Sequence, residues 1–391
     1  MSLRNKDFGL FATGTAGGGG GGGTVLSVDA VSCTPTTLCV TGGPISSAGT
    51  FCFYNCAPYC GQAVEVLGAG TCSTYRCCVF NQSNGDYSAA LGGNNNIANC
   101  DHSLISGGSY NCICSPQSSI VGGNLNTIFC TSTGSFIGGG QCNTSCGIYT
   151  TISGGYCNTI SAYYGKSVIS GGFCNTISGY GVSVIVGGCQ NSVSAGYSIV
   201  VGGQCNVVSG DYGFIGGGVL NTASNSHAII VGGQQNSSTG QYSFIGGGYL
   251  NSNQGGCLGP TITGGWCNTT CGNFNFIGGG RKNTSSGYYS TISGGQNNEA
   301  LASRSYVGGG LCNSVSSSGT YSTIGGGLNN CVFASQATIA GGNTNLSCSA
   351  AGFIGGGVHN QITSCSAYGV IAGGYCNAIT ASCYGDNGSV I

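Results

Sequence analysis

The sequence predicts an all-β chain: a parallel β-solenoid, or β-roll, of about 19 coils with a 15-residue repeat, preceded by a small Cys-rich β domain. Three observations predict it. The phrase Gly-Gly-x-x-Asn recurs in 19 units from Asn96 to Asn377, and of the 18 intervals twelve are 15 residues, one is 16 and five are 17. Ile or Val stands two places before the Gly pair in 18 units, Ala90 being the exception. Glycine supplies 80 of the 391 residues, a density that rules out helix as the repeating element.

The elements follow in chain order. Residues 1–23 are a short head ending in the tract Gly17–Gly23, which predicts a flexible arm. Residues 24–86 carry β-branched runs broken by Gly-Gly-Pro and Ala-Gly, and predict a small strand-rich attachment domain whose clustered cysteines favour cross-linking. From residue 87 to 391 the chain is repeats. Ile215, Ile230 and Ile245 are successive members of the first apolar series, and a weaker series two places after the Asn includes Ile113, Ile160 and Val208. Two apolar positions per unit, each flanked by Gly or Ser, describe two short strands per coil.

A 15-residue unit cannot bury its own apolar face, so identical coils must stack and turn each position into a ladder. At about 4.8 Å per coil, the units would extend on the order of 90 Å. The Gly pair permits positive φ and close backbone approach at a sharp turn. Asn221, Asn236 and Asn251 are expected to bond backbone groups in that turn and their neighbours in adjacent coils. The extra residues of the longer units belong in a turn, since the pattern resumes in phase.

Two further rows are legible. A large residue stands six places after the Asn, as in Tyr197, Tyr212, Tyr242 and Tyr289, with His102, His227 and Arg304 as replacements. Such a row can pack between chains or present a sugar-binding stripe, its hydroxyls at the wet edge. Cysteine precedes the Asn in seven units, among them Cys142, Cys157 and Cys174, which stacking would bring within disulfide reach. Bridged cysteines and small packed thiols both remain open for this row.

Composition limits the function. Seven Lys and Arg against eight Asp and Glu leave no basic footprint for nucleic acid or anionic lipid. No apolar run suits a membrane helix, and the opening residues lack the apolar core of a signal peptide, so an extracellular role would come by lysis or on a particle. No enzyme is expected: the carboxylates are scattered, and His102, His227 and His359 each replace another residue in the repeat. The Gly-rich turns lack the Gly-Lys-Ser/Thr ending of a phosphate cradle. The repeats lack the Asp of calcium-binding rolls, and Cys142 with Cys146 has no zinc-site spacing, so neither metal nor cofactor is expected. Sequons such as Asn236-Ser-Ser coincide with the repeat Asn and read as architecture. The last residues, Asn387–Ile391, resemble the lead-in Gly165–Ile169, so either Ile391 caps a coil or a further tip follows.

Two resemblances add to this. YSFIGGGYLNSNQGG, TISGGQNN and VISGGFCNTISG resemble the repeats in heads of YadA-like trimeric adhesins, which implies a homotrimer of parallel β-rolls over residues 87–391. GGGTVLSVDAVSCTPTTLCVTGGPISSAGT, Gly21–Thr50, is similar to a segment of bacteriophage tail fibres. Together they imply a homotrimeric virion fibre or spike at the virion surface. Its N-terminal region would bind capsid or tail proteins, and its shaft would meet a host-surface glycan or protein. The alternative is a self-assembling extracellular or cell-surface filament. An ice-binding solenoid fits less well, because the Thr row after the Asn is interrupted by Ser, Val and Glu299.

Overall fold

A computed structural model describes residues 80–162, 164–363, 367–380 and 390–391, with the backbone of four short strands ahead of them. The predicted arm at 1–23 and most of the predicted domain at 24–86 lie outside the described residues. The described chain is an all-β parallel solenoid of about 19–20 turns with a repeat of about 15 residues. It divides into two compact units, Met1–Tyr149 and Thr150–Ile391.

In the first unit, Glu65–Leu67 pairs antiparallel with Thr74–Arg76, which pairs in parallel with Ala89–Ala90. The coil pattern reaches back to Asn81, ahead of the expected start at Tyr87: Asn96 N donates to Asn81 Oδ1 at 2.9 Å, and Gln82–Ser83 pairs in parallel with Ile97–Ala98. The Gly-Gly phrase misses this coil because Cys77-Cys78 stands where the pair would be.

The second unit shows the coil plan most clearly. Each coil has two strands of two residues, and a third rung where the residue two before the Asn bridges its counterpart, as Val219 does Gln234. Phe214–Ile215, Ile229–Ile230 and Phe244–Ile245 pair in parallel with Ile on Ile, and Phe244 pairs with Thr261 across a 17-residue coil without loss of register. With a side-chain period of two, one residue of each strand must point inward and its neighbour outward. Ile215, Ile230 and Ile245 are accordingly fully buried.

The interior holds more than apolar ladders. Asn221, Asn236 and Asn251 are buried and form their own. Asn236 N donates to Asn221 Oδ1 at 3.0 Å, while Asn236 Nδ2 donates to Gly232 O at 3.1 Å and Gly248 O at 3.0 Å. Each Asn thus ties its own turn to the coils on either side and pairs part-buried glycine carbonyls. A serine row two places before the first inward apolar residue is buried too, as in Ser167, Ser183 and Ser198 ahead of Ile169, Ile185 and Val200. The second inward position, expected to be apolar, is polar in four consecutive coils: Ser238, Asn253, Thr270 and Ser285 are all fully buried. They are tolerated because they have partners. Ser238 Oγ lies 2.6 Å from Ser243 Oγ, and Thr270 Oγ1 donates to Asn253 Oδ1 at 2.6 Å.

Glycine alone does not make the turns. The second Gly of the pair does have positive φ, +88° at Gly233, but non-glycine residues also turn the coil. These are the residue before the Asn and the one six after it, such as Gln235 at φ 54° and Tyr242 at 54°, or eight after it in 17-residue coils, as at Tyr321 and Tyr368. The left-handed region disfavours a side chain by about 1–2 kcal/mol. What offsets it is a backbone bond to the preceding coil: Gln235 N donates to Val219 O at 2.9 Å and Tyr242 N to Ser226 O at 3.0 Å.

Candidate functional site

With the interior spent on ladders, any recognition must use the outward residues. The corner six places after the Asn gathers the predicted aromatic row. Left-handed φ there turns each side chain out of the coil, and one-coil spacing brings the rings face to face. Tyr197 and Tyr212 stack at 5.2 Å between centroids, Tyr212 and His227 at 4.9 Å, His227 and Tyr242 at 4.6 Å. The rings are about half exposed, at 52–56 % for the three tyrosines. Tyr289 belongs to a separate stack, 5.2 Å from Phe274 and with the Arg304 guanidinium 5.7 Å from its ring. Within the chain, then, this row packs along the coil stack, with ring edges and hydroxyls presented outward.

The first of these stacks ends at a cleft. Where the 16-residue coil places Gly181 at the corner instead of a ring, the glycine backbone lies against Tyr197: a Cβ there would be 3.1 Å from Tyr197 Cε2. Beside it Tyr180 is 75 % exposed. A cleft of about 290 Å³ forms among Tyr180, Gly181, Gly196, Tyr197, Asp211 and Tyr212. Asp211 Oδ1 accepts from Gly196 N at 2.9 Å, which fixes the carboxylate at the wall. Aromatic edges, one anchored carboxylate and backbone polar groups make a surface suited to a polyhydroxylated ligand. The sequence showed the tyrosines but not the cleft, which depends on one inserted residue.

The cysteine corner is different. Cys142, Cys157 and Cys174 take left-handed φ of 57°, 54° and 52°. Cys142 lies in the first unit, Cys157 and Cys174 in the second, where the latter two are unbridged thiols. Burial, followed by neighbouring Cys157, pushes the Cys174 thiol upward. A group the sequence did not single out lies in the first unit, where Cys112 Sγ is 3.5 Å from Cys114 Sγ. Burial, and then the bond to Cys114, pushes the Cys112 thiol up to about 12. A thiol held neutral is a poor nucleophile, which disfavours Cys112 and Cys174 as reactive groups.

Among the described residues no three His, Cys, Asp or Glu side chains are grouped to hold a metal ion, and no helix is long and apolar enough to cross a membrane. Fold and surface together define a parallel β-solenoid whose chemistry is displayed on its outer ladders. No protein-family model matches the chain, and no curated protein matches it in sequence.

Proposed function

We propose that this chain is the shaft of a homotrimeric fibre on a virus particle, held to capsid or tail proteins by its N-terminal region and meeting the host surface along its outer rows. The observation that carries this is the division of labour within the coil. Inward Ile, Asn and Gly roles recur from coil to coil, while corner and outward residues vary between aromatic, thiol and hydroxyl. Such a chain extends a scaffold by repetition and places recognition on its surface, and many weak contacts along it would add through multivalency. The similarity of Gly21–Thr50 to phage tail fibres supports a virion. The cleft at Tyr180 and Asp211 is where a host saccharide would bind.

Imaging of purified particles carrying an antibody label on this chain tests the reading. Labelled projections fixed at one end to a capsid or tail are expected. A continuous periodic filament of the chain without a particle would replace it with the cell-surface or extracellular alternative. Chemical cross-linking without heat tests the trimer, and a monomer would remove that part.

A further inference from the structure

The two sheets of the second unit differ in their outward rows. Along the second strands the outward residues are mostly hydroxyls, such as Thr159, Thr176, Ser192, Thr222, Ser237 and Thr269. Along the first strands they are largely apolar and solvent-facing: Ile199 is 39 % exposed, Val201 43 %, Val231 49 %, Phe276 38 % and Phe353 40 %. Neither outward row of the first-strand face, from Thr151 to Val370 and from Ser153 to Ala372, contains Asp, Glu, Lys or Arg.

That face is also levelled. Where its first position is aromatic, the second is glycine, and the ring lies over it. A Cβ at Gly216 would be 3.4 Å from Phe214 Cε1, and the distances at Gly246, Gly278 and Gly355 to Phe244, Phe276 and Phe353 are 3.4, 3.3 and 3.5 Å. Beside Val184, Ile199 and Ile229 the second position is Val186, Val201 and Val231, while beside Val168 and Val370 it is Ser170 and Ala372. From Ile199 to Phe244 large beside none alternates with medium beside medium, and further along the face coils led by Thr, such as Thr261 and Thr291, stand between the aromatic ones.

We propose that the first-strand face is where a second copy of this chain docks, in parallel and with coils in step. The inference rests on the self-association in the proposed function but not on a virus particle. At three residues of ~3.3 Å and ~4.8 Å per coil, the fifteen first strands from Thr151–Ile152 to Val370–Ile371 offer about 700 Å². Nine of its thirty outward positions are Thr or Ser and the rest carry no polar side chain beyond the Tyr306 hydroxyl, and the whole approaches the ~800 Å² per partner of a stable interface. An uncharged face selects an uncharged partner, and its rows repeat once per coil along the whole unit. A second copy has both the period and the neutrality. The hydroxyl face would stay in water.

Sedimentation of the full chain over a range of concentrations tests this. The variant Ile199→Lys/Ile229→Lys/Phe244→Lys places cations on the face without touching the inward ladders. The variant Ile199→Thr/Ile229→Thr uses a residue that already occupies this row at Thr261 and Thr291, and guards against misfolding. Thr222→Lys/Thr269→Lys on the hydroxyl face is the control, and circular dichroism checks folding in each case. The wild type and the control are expected to be oligomers, with dissociation constants more than 10-fold weaker in both face variants. A monomeric wild type, or face variants that associate as tightly as wild type, would overturn the interface. A chain that self-associates through this face but sits on no particle would keep the interface and sink the virion fibre.

Discussion

The two glycines of each pair look equivalent in sequence and have unequal duties. Gly233 has φ of 88°, and a Cβ there would lie 2.2 Å from Gly248 O in the next coil. Gly232 meets nothing within 4 Å. Gly233→Ala is therefore expected to destabilise by more than about 2 kcal/mol, because strained φ adds to backbone overlap, and Gly232→Ala to change stability by less than about 1 kcal/mol. Urea midpoints of the two variants measure the difference, and equal midpoints would contradict it. The Cys112 thiol gives a pH-dependent counterpart. Its folded value near 12 exceeds the ordinary 9.0 because burial and Cys114 disfavour the thiolate. Below pH 9 the group is neutral folded or unfolded, and its contribution to stability is fully present. Between about 9 and 12 the unfolded chain ionises first, so that contribution is lost as pH rises. At pH 9, iodoacetamide should label Cys112 more slowly in the native chain than in urea, by mass spectrometry of its peptide; equal rates would contradict a suppressed thiolate.

Strands of two residues cannot stand alone, and what each needs is a partner above and below with matching inward chemistry. The polar run Ser238, Asn253, Thr270 and Ser285 meets that need by bonding instead of packing. Thr270→Val keeps shape but leaves Asn253 Oδ1 without the 2.6 Å donor, and should cost about 1–3 kcal/mol in thermal or urea unfolding. A neutral result would mean Asn253 finds another donor. These elements also mark how far the sequence could be read. The Ile and Asn ladders were legible because one residue type recurs at one spacing through coils of 15 to 17 residues. The buried serines were not, since Ser among Gly and Tyr looks like turn composition until its neighbours are known. The left-handed corners at Gln235 and Tyr242 ran against propensity, which reserves positive φ for Gly and Asn. The tyrosine row was visible in sequence, but whether its rings met each other or a second chain depended on rotamers that spacing does not fix. The levelled face is written in FIGGG against IIVGG, yet only the ring position over Gly216 gives that alternation a meaning.

If every coil bonds only to its neighbours, the second unit should tolerate loss of a whole coil and fail on loss of part of one. Removing residues 221–235 would join Leu220 to Asn236. Asn236 would then donate to Asn206 as Asn221 does now at 3.0 Å, and Ile215 would pair with Ile245. The outward rows survive as well, because Phe214 and Phe244 each bring their own glycine, and Tyr212 and Tyr242 would become consecutive rings. Removing residues 221–234 instead leaves Gln235 as an extra residue between Leu220 and Asn236. With a side-chain period of two, that slip turns inward positions outward for one strand, and the Asn loses its place under the glycine carbonyls. The 15-residue deletion is expected to keep the wild-type circular dichroism spectrum and unfold within a few degrees of it. The 14-residue deletion should unfold well below or be recovered as aggregate. Equal stability of the two deletions would mean that the ladders tolerate a break in register, and the register-bound interface on the first-strand face would fall with them.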